Sequence, residues 1–281
     1  MLLQCGARQL DLSTPVIMGV LNVTPDSFSD GGRYLDSEQA IARAKEMLAE
    51  GATIIDVGGE STRPGAAEVS ATEELRRVVP VIAALAKTAA FISIDTSKPA
   101  VMREAVAAGA CIINDIRGLE LPGALQAAAA AAAAICVMHM QGQPATMQAA
   151  PHYQNVVTEV RDYLHSRVQA CEAVGISHNR LMIDPGIGFG KTLQHNLALL
   201  AQLPELATLQ LPVLIGVSRK SVIGAVLGRP VGERLYGGIA LATAAVLGGA
   251  QIIRTHDVAA TVDAVRIAAA VRAAGFVAAQ T

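Results

Sequence analysis

Eight short apolar runs in this 281-residue chain each stop at a polar residue, and those polar residues are the ones able to do chemistry. Residues 16–21 run into Asn22, 53–55 into Asp56, 91–94 into Asp95, and 111–113 into Asn114. Residues 135–138 stop at His139 and 181–183 at Asp184. Residues 213–217 lead to Ser218, Arg219 and Lys220, and 252–253 to Arg254, with His256 just beyond. The set divides in two. Asp95, Asn114 and Asp184 are acceptor-rich, and a buried carboxylate needs partners or it neutralises. A heterocycle with several N–H groups would supply them. Arg63, Arg219, Lys220, Arg254 and His256 are cationic in a chain of net charge −2, and arginine makes forked contacts with phosphate.

Asp184 carries the sharpest signal. Leu181-Met182-Ile183 runs straight into it, and Pro185, Gly186, Gly188 and Gly190 follow. An ionised carboxylate only accepts hydrogen bonds. It therefore suits a ligand edge with two adjacent N–H donors, such as an amidine or a 2-amino-pyrimidinone. The glycines let backbone approach a flat ligand. The bland alternative makes Asp184 the N-cap of the next helix, but the glycine run delays that helix to about Thr192. Gly190-Lys191-Thr192 has the look of a P-loop ending. That motif requires glycine five residues before its last glycine, and position 185 is proline.

Two other residues have structural readings. Asp56 is expected to pair with a cation at the mouth. His139, beside Met138, reads as a satisfied core histidine rather than a ligand. No His/Cys spacing suits zinc. A magnesium ion arriving with a phosphate needs one or two protein oxygens, and Asn22 is the candidate.

These residues need a scaffold that brings strand ends together. Helical patterns separate the apolar runs, at 37–50, 72–87, 99–108, 123–134, 153–174, 192–203, 232–247 and 257–273. The alanine-rich stretch 127–134 reads as helix on propensity. Gly51, Gly109 and Gly249 stand at matching places in a weak repeat, each ending a helix before a strand. Eight strand–helix units without a linker predict one (β/α)8 TIM barrel over 1–281. An open doubly wound sheet would want a glycine-rich dinucleotide turn after the first strand, and Asn22-Val23-Thr24-Pro25 is unlike one.

Composition narrows the classes. Apolar residues make up 52% and aromatic ones 3%, so the core is built of Ala, Val, Ile and Leu, as suits helices on a parallel sheet. With pI near 6.3 there is no basic surface for nucleic acid, and no run reads as a membrane span. Cys5, Cys111, Cys136 and Cys171 form no CxxC pair and read as reduced, buried thiols of a cytoplasmic protein. Residues 22–32 and 58–65 are rich in glycine and small polar residues, a composition that suits lids.

The segments 18–32, 58–65, 94–96, 113–115, 138–142, 184–191, 218–221 and 254–257 together resemble the dihydropteroate synthase family, pterin-binding enzymes of bacterial folate synthesis. They span nearly the whole chain in order, and no motif position departs from the family pattern. The resemblance implies joining of a dihydropterin methyl pyrophosphate to p-aminobenzoate. It implies that Asp95, Asn114, Asp184 and Lys220 hold the pterin, with Met138 beside it. Asn22, Arg254 and His256 would hold the pyrophosphate and its Mg2+. Thr62, Pro64, Phe28, Phe189 and Ser221 would shape the p-aminobenzoate site, with Arg63 and Asp30 on the lids. Asp95, Lys220, Arg63 and Asp30 are the expected catalytic residues, and the family implies a homodimer. Two rivals are a methyltetrahydrofolate-dependent methyltransferase and a non-catalytic pterin-binding paralogue. The first would not need Arg254 and His256, and the second should have lost lid or anion residues.

Overall fold

The computed structural model describes residues 1–24, 33–61, 69–143 and 146–275. The chain opens with an antiparallel hairpin of β1 (Leu2–Cys5) and β2 (Arg8–Asp11). Parallel strands and helices then alternate: β3 (Val16–Asn22), α1 (Arg33–Ala49), β4 (Ile54–Gly58), α2 (Ala71–Leu85), β5 (Phe91–Asp95) and α3 (Pro99–Ala107). Next come β6 (Ile112–Asp115), α4 (Ala124–Ala130), β7 (Ala134–Met138), α5 (Val156–Ala173), β8 (Leu181–Asp184) and α6 (Leu193–Ala201). The last are β9 (Leu214–Gly216), α7 (Ser221–Leu227), α8 (Leu235–Leu247), β10 (Ile252–Thr255) and α9 (Val258–Ala273).

The parallel strands lie in the order β8-β7-β6-β5-β4-β3-β10-β9. The ring closes where Ile183 pairs with Val213 and its N–H donates to Pro212 O at 2.9 Å. This is the expected (β/α)8 barrel. The strands are apolar on both faces because one face meets the helices and the other the barrel interior. Met18, Ile54, Phe91, Ile112, Ala134, Met182, Leu214 and Ile252 fill the lower interior, and Leu3, Cys5 and Leu10 of the hairpin, with Leu12 just after it, pack against them. The hairpin thus plugs the barrel floor, opposite the strand ends that carry the polar residues.

Three returns from helix to strand are built alike. Gly51, Gly109 and Gly249 have φ of 107°, 117° and 104°. After each, the next N–H reaches back past the turn, from Ala52 to Met47 O, Ala110 to Ala105 O and Ala250 to Ala245 O, each at 2.9 Å. That is the left-handed helix stop the repeat predicts.

The alanine run departs from expectation. Helix α4 stops at Ala130 and β7 starts at Ala134. Arg180 donates to the carbonyls of Ala131 at 2.5 Å and Ala133 at 2.9 Å. A cation 47 residues away in sequence ends the helix that propensity would have extended. Cys5, Cys136 and Cys171 are buried as expected, but Cys111 is only half-buried, and all four are free. Among the described residues no helix is long and apolar enough to cross a membrane.

Candidate active site

Side chains alternate between the two faces of a strand. Ile54, Ile112, Met182 and Ile252 point into the barrel floor, so Asp56, Asn114, Asp184 and Arg254, two residues further on, point into its upper end. Lateral register aligns them: Asp95 pairs with Asn114, Asn114 with Cys136, and Met138 with Asp184. The polar strand ends therefore meet at one mouth.

Arg254 is the hub. Its Nε lies 2.7 Å from Asp56 Oδ2, and its Nη2 lies 2.7 Å from Asp95 Oδ2. Asn114 Nδ2 donates to the same Asp56 oxygen at 3.1 Å. Asp56 is fully buried, and its pairing with a mouth cation is as expected. Burial pushes the Asp95 carboxyl up to about 7, with the Arg254 charge opposing and the Asp56 charge reinforcing the rise. Burial works against the Arg254 charge, but Asp56 and Asp95 outweigh it and raise its pKa.

The second half is the glycine turn after β8. Asp184 is buried, and its Oδ1 accepts from Gly186 N at 2.7 Å. It does not cap α6. Thr192 does so, in a reciprocal capping box with His195. Burial raises the Asp184 pKa, and the charge of Lys220 counters it. Lys220 donates to Ile187 O and sits 4.9 Å from the Phe189 ring centroid. Burial draws the Lys220 pKa down to about 8. Ser221, the first residue of α7, follows it directly.

His256 lies beyond β10, with Nδ1 3.1 Å from Ser218 Oγ. Asn22 ends β3, and its Oδ1 would touch a Cβ at Gly58 at 3.6 Å, so glycine there leaves room around that oxygen. Arg219 departs from expectation. It has φ of 60°, and its guanidinium pairs with Asp257 at 2.5 Å on the exposed side. It is a surface clasp between two loops rather than a mouth cation. Phe28, Asp30, Thr62, Arg63 and Pro64, and the lid readings that involve them, lie outside the described residues.

Two constellations escaped the sequence reading. Lys191 is buried and reaches His139 Nδ1 at 2.9 Å, so His139 is the satisfied core histidine expected, with an unforeseen partner. Lys98 joins Glu60 at 2.5 Å and the buried Glu74 at 2.6 Å. Lone lysines on polar loops carry no signal that they will turn inward.

Fold and mouth together define a barrel enzyme whose strand ends set buried hydrogen-bond acceptors beside cations. The model of the family described as pterin binding enzyme matches residues 18–256. The dihydropteroate synthase of Escherichia coli (strain K12) is 56% identical over 259 residues, covering 92% of each chain. The Yersinia pestis dihydropteroate synthase structure with a sulfonamide drug complex superposes with a TM-score of 0.92 at 53% identity, covering 97% of this chain and 100% of that one. The Burkholderia cenocepacia enzyme complexed with 7,8-dihydropteroate gives 0.89 at 49% identity, covering 97% of both chains. The chain belongs to the pterin-binding enzyme family.

Proposed function

We propose that the chain has dihydropteroate synthase activity, condensing 6-hydroxymethyl-7,8-dihydropterin pyrophosphate with p-aminobenzoate to give 7,8-dihydropteroate and pyrophosphate. One observation carries this reading: Asp184 at the end of β8 lies beside Lys220 after the neighbouring β9, and Asn114 shares Asp56 Oδ2 with Arg254, so acceptors and cations line one barrel mouth. Asp184, Asn114 and Lys220 hold the pterin edge, with Met138 beside it. Arg254 and His256 hold the pyrophosphate. Phe189 and Ser221 border the p-aminobenzoate, together with Phe28, Thr62 and Pro64 from the family resemblance. Arg63 and Asp30 complete the site on the same grounds.

The chemistry asks little covalent help of the protein. The bond from the methylene carbon to oxygen breaks, and its electron pair leaves with pyrophosphate. The pterin ring donates electrons toward the methylene and supports a cation. The Asp95 carboxylate stabilises that cation, while Arg254 stabilises the charge developing on the leaving group. The neutral aniline nitrogen then attacks the methylene, and the proton of the resulting anilinium passes to solvent water. No protein nucleophile is required, consistent with the lack of a Ser-His-Asp or Cys-His arrangement in the sequence reading.

Mg2+ fits this site on modest terms. Magnesium keeps most of its waters and takes one or two protein oxygens plus phosphate, and Asn22 Oδ1 beside Gly58 is such an oxygen. When bound, the ion would neutralise charge on the pyrophosphate. A homodimer is supported by the outer surface of α7, α8 and α9. Val226, Leu227, Val231, Tyr236 and Ile267 are exposed there, Tyr236 by 81%. Helix α8 has no charged residue, and a helix apolar all round is normally covered.

Pyrophosphate release from the pterin substrate, with and without p-aminobenzoate, tests the activity. Release coupled to 7,8-dihydropteroate formation is expected. Failure to release pyrophosphate with both substrates and Mg2+ present would overturn it.

A further inference from the structure

The turn 186–190 carries three features the proposed chemistry uses: the N–H that orders Asp184, the Ile187 carbonyl that holds Lys220, and the Phe189 ring. Its backbone is hard to hold. Gly186 and Gly190 have φ of 69° and 61°. A Cβ on either would lie 1.9 Å from His139 O or 2.3 Å from Gln141 O. The turn thus lies backbone against backbone on the loop after β7. Gly186 O accepts from Phe189 N at 3.0 Å within the turn, but its second lone pair and the Phe189 carbonyl call for further donors.

Lys191 supplies them. Its side chain folds back beneath the turn and is 3% exposed. Its Nζ lies 2.9 Å from His139 Nδ1, 3.0 Å from Gly186 O and 3.0 Å from Phe189 O. An ammonium has three N–H groups and no acceptor; these are its three shortest contacts, and the His139 backbone carbonyl lies further off at 3.5 Å. Other anchors act elsewhere on the turn. Tyr153 Oη donates to Gly190 O at 2.8 Å, and Asn196 Oδ1 accepts from Gly188 N at 2.7 Å. Among the described side chains, Lys191 alone has a hydrogen bond to the carbonyls of Gly186 and Phe189.

We infer that Lys191, backed by His139, is a positioning residue: from beneath, it locks the 186–190 turn and thereby sets Asp184, Lys220 and Phe189 for the two substrates. This rests on the proposed function for what the turn binds, but not for the lock itself. The lock survives a change of protonation. Burial and the Lys191 charge lower the His139 pKa to about 3, so its imidazole is neutral. Burial also draws Lys191 down to about 7, with Asp184 opposing and Lys220 reinforcing the fall. As an amine, Lys191 still donates two N–H groups to the carbonyls while His139, in its other tautomer, donates to Nζ. Tyr163, edge-on to the His139 ring at 4.9 Å between centroids, and Tyr153 are the other titratable groups against the pair. Burial holds both phenols protonated.

The test compares Lys191→Met, His139→Leu, His139→Asn and the double variant Lys191→Met/His139→Leu. Asparagine keeps a polar atom near the Nδ1 position. Two readouts are taken on the full chain. Hydrogen exchange of residues 186–190 in ligand-free protein should speed up at least tenfold in Lys191→Met and His139→Leu, and stay within threefold of the unmutated chain in His139→Asn. Steady-state kinetics should show KM for the pterin ester raised at least tenfold in the same two variants, with kcat changed less. The double variant should be no worse than Lys191→Met, because both remove one lock. A general loss of stability would speed exchange across the whole barrel and leave KM unchanged, and that pattern overturns the inference. So does unchanged exchange in 186–190. If Lys191→Met does not fold, Lys191→Gln carries the same measurements. Should the unmutated chain release no pyrophosphate, the proposed function fails, while hydrogen exchange still decides the lock.

Discussion

Arg254 Nε lies 2.7 Å from Asp56 Oδ2, although 198 residues separate them in sequence. The last barrel strand thus delivers a cation to a carboxylate on the second barrel strand, with Asp95 of the third held by the same guanidinium. Each charge is desolvated, and each depends on the others for compensation. Arg254 therefore comes with its own internal counterions, and under the proposed function a bound pyrophosphate would compete with them.

Arg254→Met should consequently do more than weaken anion binding. It leaves two carboxylates facing each other without their cation, a class of change costing about 3–5 kcal/mol. Urea unfolding should show that loss, and adding Asp56→Asn should recover most of it. No change in the unfolding midpoint would mean the pair is not formed in solution. His256→Ala is the cleaner probe of pyrophosphate, because it leaves Arg254 itself in place with Asp56 and Asp95. It should weaken binding of the pyrophosphate ester far more than binding of the bare pterin, as read by calorimetry. Equal losses would assign it a structural role.

Asp184→Asn preserves shape but puts an NH2 where an acceptor stood. One ligand N–H then faces a donor, and Gly186 N can lose its own partner. Losing a charged hydrogen bond and stranding a donor costs on the order of 2–4 kcal/mol. Pterin affinity should fall about a hundredfold or more. A loss smaller than about threefold contradicts the role given to Asp184.

The sequence exposed the residues whose position follows from strand parity. Asp56, Asn114, Asp184 and Arg254 end apolar runs, and a period of two places them inside the barrel without further information. Lys191 was not legible, because its place depends on a turn closing onto His139, 52 residues away. Arg219 escapes the same logic for the opposite reason. Its neighbours face the mouth, but a left-handed backbone sends it to Asp257. The end of α4 was hidden because Arg180, and not local propensity, sets it. The floor hairpin and α7 are only 4 and 7 residues long per element, too short for periodicity to mark them.

The apolar outer surface predicts self-association. Val226 and Tyr236 stand on neighbouring elements, since Gly237 packs directly against Ile223 of α7. Val226→Asp combined with Tyr236→Asp should convert a dimer to a monomer in sedimentation equilibrium. Neither residue reaches the barrel core, so thermal stability extrapolated to low protein concentration should change little. A monomeric unmutated chain at micromolar concentration would refute the homodimer.

Stability and activity should respond to pH in opposite senses. Asp95 has its pKa raised from 3.8 to about 7. Between those values the folded state binds a proton that the unfolded chain does not. Its contribution to stability is therefore full below about pH 4 and lost as pH rises through about 7. Cation stabilisation instead needs the carboxylate, which forms over the upper part of that window. Lys220 has its pKa lowered from 10.5 to about 8. Above about pH 8 the unfolded chain binds the extra proton, so this group makes stability rise toward pH 10 while the ammonium needed at the pterin is lost. The profile of kcat/KM should be a bell with limbs near 7 and 8. Asp95→Asn should remove the acid limb and Lys220→Met the basic one, each at reduced activity. Urea midpoints taken across the same range should fall on the acid side of the bell and recover on the basic side, less steeply in each variant. A kcat/KM flat from about pH 6 to 9 would show that neither group titrates in the working enzyme.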